Sequence, residues 1–153
     1  MGRLYTSVID ALSVSAICEL WYVSAAANKV VILHEVVLTQ DASETSEQLP
    51  LAIFRTATDQ GSKGGASTPS PLDPGDPAFA GTVKTNILTA EGFATPSVTP
   101  YRQAQNVLGG WHLLFTPETR LVIGGGAKIV VKLPIAPSAA LTLSGYLTLE
   151  EIG

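Results

Sequence analysis

The sequence predicts an all-β protein, a single antiparallel β-sandwich of jelly-roll type that spans residues 1–153. Short runs with alternating apolar and polar residues recur along the chain, and Gly, Pro, Asn and Ser separate them at close intervals. No segment shows the apolar periodicity of an amphipathic helix. A chain of 153 residues suits one domain that buries a sizeable core. We therefore expect about eight to ten strands.

The longest apolar run, residues 29–40 (KVVILHEVVLTQ), is rich in β-branched residues and predicts the central strand. Read with a period of two, it is apolar on both faces. A strand with two apolar faces is covered on both sides within its own chain, or on one side by another subunit. We expect a homo-oligomer, with a trimer as the first choice, in which the contact involves Val31, Leu33, Val37 and Trp111.

The first half of the chain adds three further strands and one long loop. Residues 4–14 alternate in a mixed way that fits an edge strand, residues 16–23 form the next strand, and residues 49–55 follow the central strand. Residues 56–80 then hold four glycines and four prolines. Such a composition disfavours a strand ladder and predicts a long surface loop, flexible in its first half and fixed by tight turns in its second.

The second half returns to strands. We expect strands at residues 81–88 and 111–115, with one irregular strand inside residues 93–107. Residues 120–133 predict a hairpin that turns at the glycines 124–126. The last strand is the clearest, because one face carries only leucines around one glycine while the other is polar. Those leucines are Leu141, Leu143, Leu147 and Leu149.

Composition limits the partners. Charged residues make up only 14% of the chain and hydrophobic ones 46%, which is little charge for a freely exposed surface. The net charge is −4 and no run of Lys or Arg occurs, so neither nucleic acid nor a membrane is expected as a partner. One cysteine, Cys18, excludes an intrachain disulfide and is expected to fill the core. No export signal is evident at the N-terminus.

Few residues suggest chemistry, and each has a structural explanation. His34-Glu35 begins like a zinc-protease motif, but position 38 is Leu and the segment reads as a strand. The acidic residues Asp41, Glu44 and Glu47, and those of residues 73–76, offer oxygen ligands for calcium, although solvated acidic loops are commoner. His34 and His112 are expected to lie in the core or at an interface. We predict no catalytic residue, metal or cofactor, and no enzyme.

Five segments together resemble a family of small tailed-phage proteins. They are MGRLYT, KVVILHEVVLTQ, STPSPLDPGDPAFAGTV, GGWHLLFTPETR and ALTLSGYLTLEEIG, and they span almost the whole chain. Structurally studied relatives of this type are jelly-roll proteins that decorate or cement the capsid, commonly as trimers. The resemblance implies a virion protein that is made in the host cytoplasm and binds the major capsid protein on the outer capsid surface.

A second function class stays open from the residues alone. A carbohydrate- or receptor-binding β-sandwich would stack aromatic rings on a sugar, and Trp111, Tyr101 and Tyr22 are the candidates for such stacking. Aromatic residues are only 7% of the chain and are scattered along it, which favours the structural class. Binding to capsids that lack the protein, beside a glycan screen, discriminates the two.

Overall fold

A computed structural model describes residues 2–41, 46–88 and 91–153. The described residues form twelve strands and no α-helix. In chain order the strands are β1 (Arg3–Val14), β2 (Cys18–Ser24), β3 (Val30–Gln40), β4 (Gln48–Thr56), β5 (Gly65–Ser67), β6 (Ser70–Pro71), β7 (Thr82–Leu88), β8 (Val98–Asn106), β9 (Trp111–Leu114), β10 (Leu121–Ile123), β11 (Lys128–Leu133) and β12 (Leu141–Ile152).

The strands make two antiparallel sheets that pack face to face, which confirms the predicted all-β sandwich. The first sheet has the order β10-β3-β12-β1-β6, with β9 pairing β3 beside β10, and the second has the order β5-β7-β2-β11-β4-β8. The strands β1 to β4 alternate between the two sheets, β4, β7 and β8 all lie in the second, β9 and β10 lie in the first, and β11 and β12 alternate again. The connectivity is that of a jelly roll, with β5–β7 inserted between β4 and β8.

The core lies between the sheets and consists of aliphatic residues with two tryptophans, Trp21 and Trp111. The four leucines predicted for one face of β12 all point into it. Cys18 is fully buried there, as predicted, and burial raises the pKa of its thiol to about 12. A second, smaller cluster covers the outer side of the second sheet and contains Tyr22, Phe54, Ile87, Phe93, Ala94 and Val130.

Two local expectations are wrong. Residues 120–133 are not a hairpin, since β10 pairs with β3 in the first sheet while β11 lies between β2 and β4 in the second. The glycines 124–126 carry the chain from one sheet to the other, and a Cβ at Gly125 would lie 1.9 Å from the Ala27 carbonyl oxygen. The loop at residues 56–80 also forms two short ladders, because β5 pairs with β7 and β6 pairs with β1.

Candidate functional site

The central strand β3 does not have the two faces that its sequence suggests. Leu149 pairs with Leu33 and Thr148 pairs with Glu35, so His34 is an extra residue and forms a β-bulge. The bulge reverses the alternation: Val31 and Leu33 point inward before it, and Val36 and Leu38 point inward after it. Both His34 and Glu35 therefore lie on the outer side. The core between the sheets takes the inward-facing apolar residues from both halves of β3, before and after the bulge.

The four residues predicted to join copies of the chain separate into two groups. Val31, Leu33 and Trp111 are buried in the core of their own chain, so contacts between the two sheets explain their apolar character. None of the three reaches a surface on which another molecule could pack. Val37 is partly buried, pairs with Tyr146 and His112, and lies on the outer side of the first sheet.

The outer side of the first sheet is apolar and carries no cover from the described residues. Eleven large hydrophobic residues are exposed in the described part of the chain, and six of them lie on this side. Partly buried valines and an isoleucine of β3 join them. We call this surface the outer apolar face and define it by Leu4, Val8, Val30, Ile32, Val37, Leu114, Val122, Tyr146 and Ile152.

Two histidine–carboxylate pairs cross the outer apolar face. The Nε2 atom of His34 lies 2.8 Å from Oε2 of Glu150, which joins β3 to β12. The Nε2 atom of His112 lies 2.7 Å from Oε1 of Glu35, which joins β9 to β3. The carboxylates of Glu150 and Glu35 therefore each have a hydrogen-bond partner in the same chain, and further contact on this face would not leave either of them without one. The zinc-motif resemblance of His34-Glu35 has no structural basis, because the two side chains serve different partners on a strand.

The outer side of the second sheet has a cover that the chain itself supplies. The carboxylate of Glu19, on β2, is fully buried and accepts hydrogen bonds from the Ala94 amide at 2.7 Å and from Nε2 of Gln60 at 3.0 Å. Burial raises the pKa of the Glu19 carboxyl, and the two donors with the nearby Lys132 ammonium partly offset that effect. Glu19 thus holds residues 57–64 and 91–95 against the sheet.

Further contacts fix this cover, which we define as residues 57–64 and 91–95. The Lys132 ammonium lies 3.6 Å from the centroid of the Phe93 ring, a cation–π contact. The Glu91 carboxylate accepts N–H bonds from Gly64 and Leu88, and these lower its pKa. The sequence predicts a flexible first half of the loop, but these contacts tie residues 57–64 to the sheet.

The aromatic residues considered for sugar stacking do not form a platform. Trp111 and Tyr22 are buried. Tyr101 is partly buried, its ring packs on Phe115 with centroids 4.8 Å apart, and its hydroxyl donates to the Thr119 carbonyl. None of the three therefore presents an open ring face beside polar groups, which is the geometry that sugar stacking needs.

The acidic residues considered for calcium have partners within the chain. Asp41 accepts a hydrogen bond from Ser144, Glu47 accepts from the Ser138 amide, and Asp73 accepts from the Gly75 amide. Glu44 lies outside the described residues. Within residues 2–41, 46–88 and 91–153, no group of three or more His, Cys, Asp or Glu side chains gathers where a metal ion could bind.

One open cleft of about 520 Å³ lies at the start of β1. Gly2, Arg3 and Leu4 line it on one side, and the turn at residues 72–76 lines it on the other. Arg3 contacts Asp76 across it, with 3.4 Å between Nε and Oδ1. Through Leu4 the cleft borders the outer apolar face.

Comparisons with known proteins add no family. The chain matches no protein-family model and no curated protein. In the described part of the chain there is no helix long and apolar enough to cross a membrane. The geometry described above therefore carries the functional argument, together with the segments that resemble the phage proteins.

Proposed function

We propose that this protein is a structural component of a phage particle, which binds the outer surface of the capsid as an oligomer, most simply a trimer, and stabilises it without catalysis. The outer apolar face carries the proposal that the protein works in contact with other protein chains, and the resemblance to the phage proteins adds the capsid as the structure to which the oligomer binds. A soluble monomer rarely leaves so many large apolar side chains exposed on one side, whereas a protein whose role is contact with other proteins uses such a surface. The jelly-roll connectivity agrees with the family that the sequence resembles.

The mechanism needs only weak contacts. When three copies are joined in one rigid body, each contact with the major capsid protein occurs next to the other two. Linking raises the overall affinity by roughly 10² to 10⁴ over a single contact. Bridging neighbouring capsid subunits in this way opposes their separation. Because the chain carries little charge, we expect binding to depend on burial of apolar surface more than on long-range electrostatic attraction between the partners.

The test uses capsids purified from particles that lack the protein. We expect added protein to sediment with them, to saturate at a fixed ratio, and to raise the temperature at which the shells open. Capsids of an unrelated phage serve as the control for non-specific adhesion of apolar surface. Protein that stays in the supernatant contradicts the proposal, and retention on a defined glycan instead would replace it with the carbohydrate-binding class.

A further inference from the structure

The outer apolar face is organised in bands that run across the strands. Val8, Tyr146 and Val37 lie side by side on neighbouring strands and form one apolar zone. Leu4, Ile32 and Val122, with Ile152 beyond them, form a second, mainly apolar zone further along the strands. Glu150 lies between Leu4 and Ile32 in this zone and is paired with His34. Thr6, Thr148 and the His34–Glu35 bulge lie between the two zones.

This banding makes the face complementary to itself. A symmetry axis that runs parallel to the strands moves each band onto the band at the same height in the next copy, whether two or three copies are related. Apolar zones then meet apolar zones, and the polar band meets the polar band. Burial of the face leaves neither Glu150 nor Glu35 without a hydrogen-bond partner, because His34 contacts Glu150 and His112 contacts Glu35 in the same chain.

The outer apolar face is also large enough to form a specific protein interface. Four strands spaced about 4.8 Å apart, with a length of about twelve residues, present a projected area of roughly 800 Å². A specific protein interface of standard size buries about 800 Å² on each partner. Contact with the other copies of the oligomer over an area of this size covers the apolar zones, so no additional partner is required to remove them from water.

We propose that copies of this chain pack against one another through the outer apolar face, with the two apolar zones aligned about the polar band. The inference rests on the oligomer of the proposed function and specifies the surface that joins its copies. The occupant of the face is a further copy of the same chain and not the capsid, which contacts the assembled oligomer elsewhere.

Two valines provide a matched test. Val8 is 57% exposed in the apolar zone that it forms with Tyr146 and Val37, and Val98 is 56% exposed on β8, at the edge of the second sheet. Each is replaced by Lys, and Val122→Lys probes the other apolar zone. All three positions are exposed in the monomer, and thermal unfolding with circular dichroism checks that each variant keeps the β fold.

Sedimentation equilibrium gives the result. We expect the parent and Val98→Lys to have a multiple of the 16.0 kDa chain mass. Val8→Lys and Val122→Lys are expected to raise the dissociation constant at least about 100-fold, since a Lys that is buried in the interface loses both packing and hydration. A parent that is monomeric, or a Val8→Lys variant that associates as tightly as Val98→Lys, overturns the inference.

The capsid assay separates failure of this inference from failure of the proposed function. If the oligomer assembles through the face but ignores capsids, the proposed function is wrong and the inference stands. If Val8→Lys keeps the parent mass yet no longer binds capsids, the face meets the capsid and the inference is wrong while the function stands.

Discussion

The outer sides of the two sheets differ in what covers them. Both carry apolar residues that point away from the core, Tyr22, Phe54 and Val130 on the second sheet and Val8, Val37 and Tyr146 on the first. The second sheet is covered by residues 57–64 and 91–95, which the buried Glu19 holds in place. The first has no comparable cover from the described residues. Residues inserted between β4 and β8 therefore cover one side of the molecule and leave the other uncovered by the described residues.

The largest effect should distinguish the inside of the first sheet from its outside. Trp111 and Leu114 lie on the same strand β9, but Trp111 is 1% exposed and Leu114 is 69% exposed. We expect Trp111→Ala to lower the free energy of unfolding by about 3–5 kcal/mol, because it leaves a cavity in the core. Leu114→Ala should change it by less than about 0.5 kcal/mol.

Urea unfolding of both variants measures this difference. Each substitution is placed in the Val8→Lys background, so that dissociation of an oligomer does not add to the unfolding free energy. Equal losses of stability from the two substitutions would contradict the assignment of inner and outer sides on β9.

A smaller effect is expected from the group that holds the cover on the second sheet. Glu19→Ala leaves the Ala94 amide and the Gln60 side chain without their acceptor, and we expect a loss of about 2–3 kcal/mol. Glu19→Gln keeps an oxygen acceptor and should lose less. Hydrogen exchange should accelerate in residues 57–64 and 91–95 of Glu19→Ala, with β3 and β12 unchanged. Uniform acceleration in both sheets would show that the cover is not a separate local unit.

The smallest effect is a pH dependence. Since burial raises the pKa of Glu19 above its ordinary value of 4.5, the folded state binds this proton more tightly than the unfolded state. Stability from this group is thus present in acid and is lost as the pH rises from the ordinary value through the folded pKa. The difference in unfolding free energy between Glu19→Gln and the parent should shift in favour of Glu19→Gln over that window. A difference that stays constant with pH would show that the pKa of Glu19 is not raised.

The sequence predicts a strand correctly where the alternation of apolar and polar residues is unbroken and agrees with the pairing of that strand in the sheet. The leucine face of β12 is correct because the alternation runs unbroken from Leu141 to Leu149. The β10–β11 hairpin is wrong because a glycine turn looks the same whether the chain returns beside itself or crosses to the other sheet. Only long-range pairing with β3 and with β2 and β4 decides between them. β5 and β6, with three and two residues, are too short to leave a pattern.

Three of the four residues predicted for the interface are buried in the core, and the bulge at His34 explains two of them. Because His34 is inserted as a bulge, a period-two reading places Val31 and Leu33 on the wrong side of β3. The signal was visible in the sequence, since two adjacent polar residues in an apolar strand indicate a change of phase. No such signal marks Trp111, whose burial depends on β9 pairing with β3.

The place of β12 in the first sheet has a consequence for biosynthesis. β1 and β3 both emerge early from the ribosome, but they lie on opposite sides of β12 and reach their places in one sheet only when it inserts between them. Most pairings of the first sheet therefore join residues far apart in the chain, which makes its formation a late and slow step. The outer apolar face takes its strands from β1, β3 and β12, so it forms only after β12 has left the ribosome. The surface through which we propose that copies pack is thus absent from a growing polypeptide until that last strand is in place.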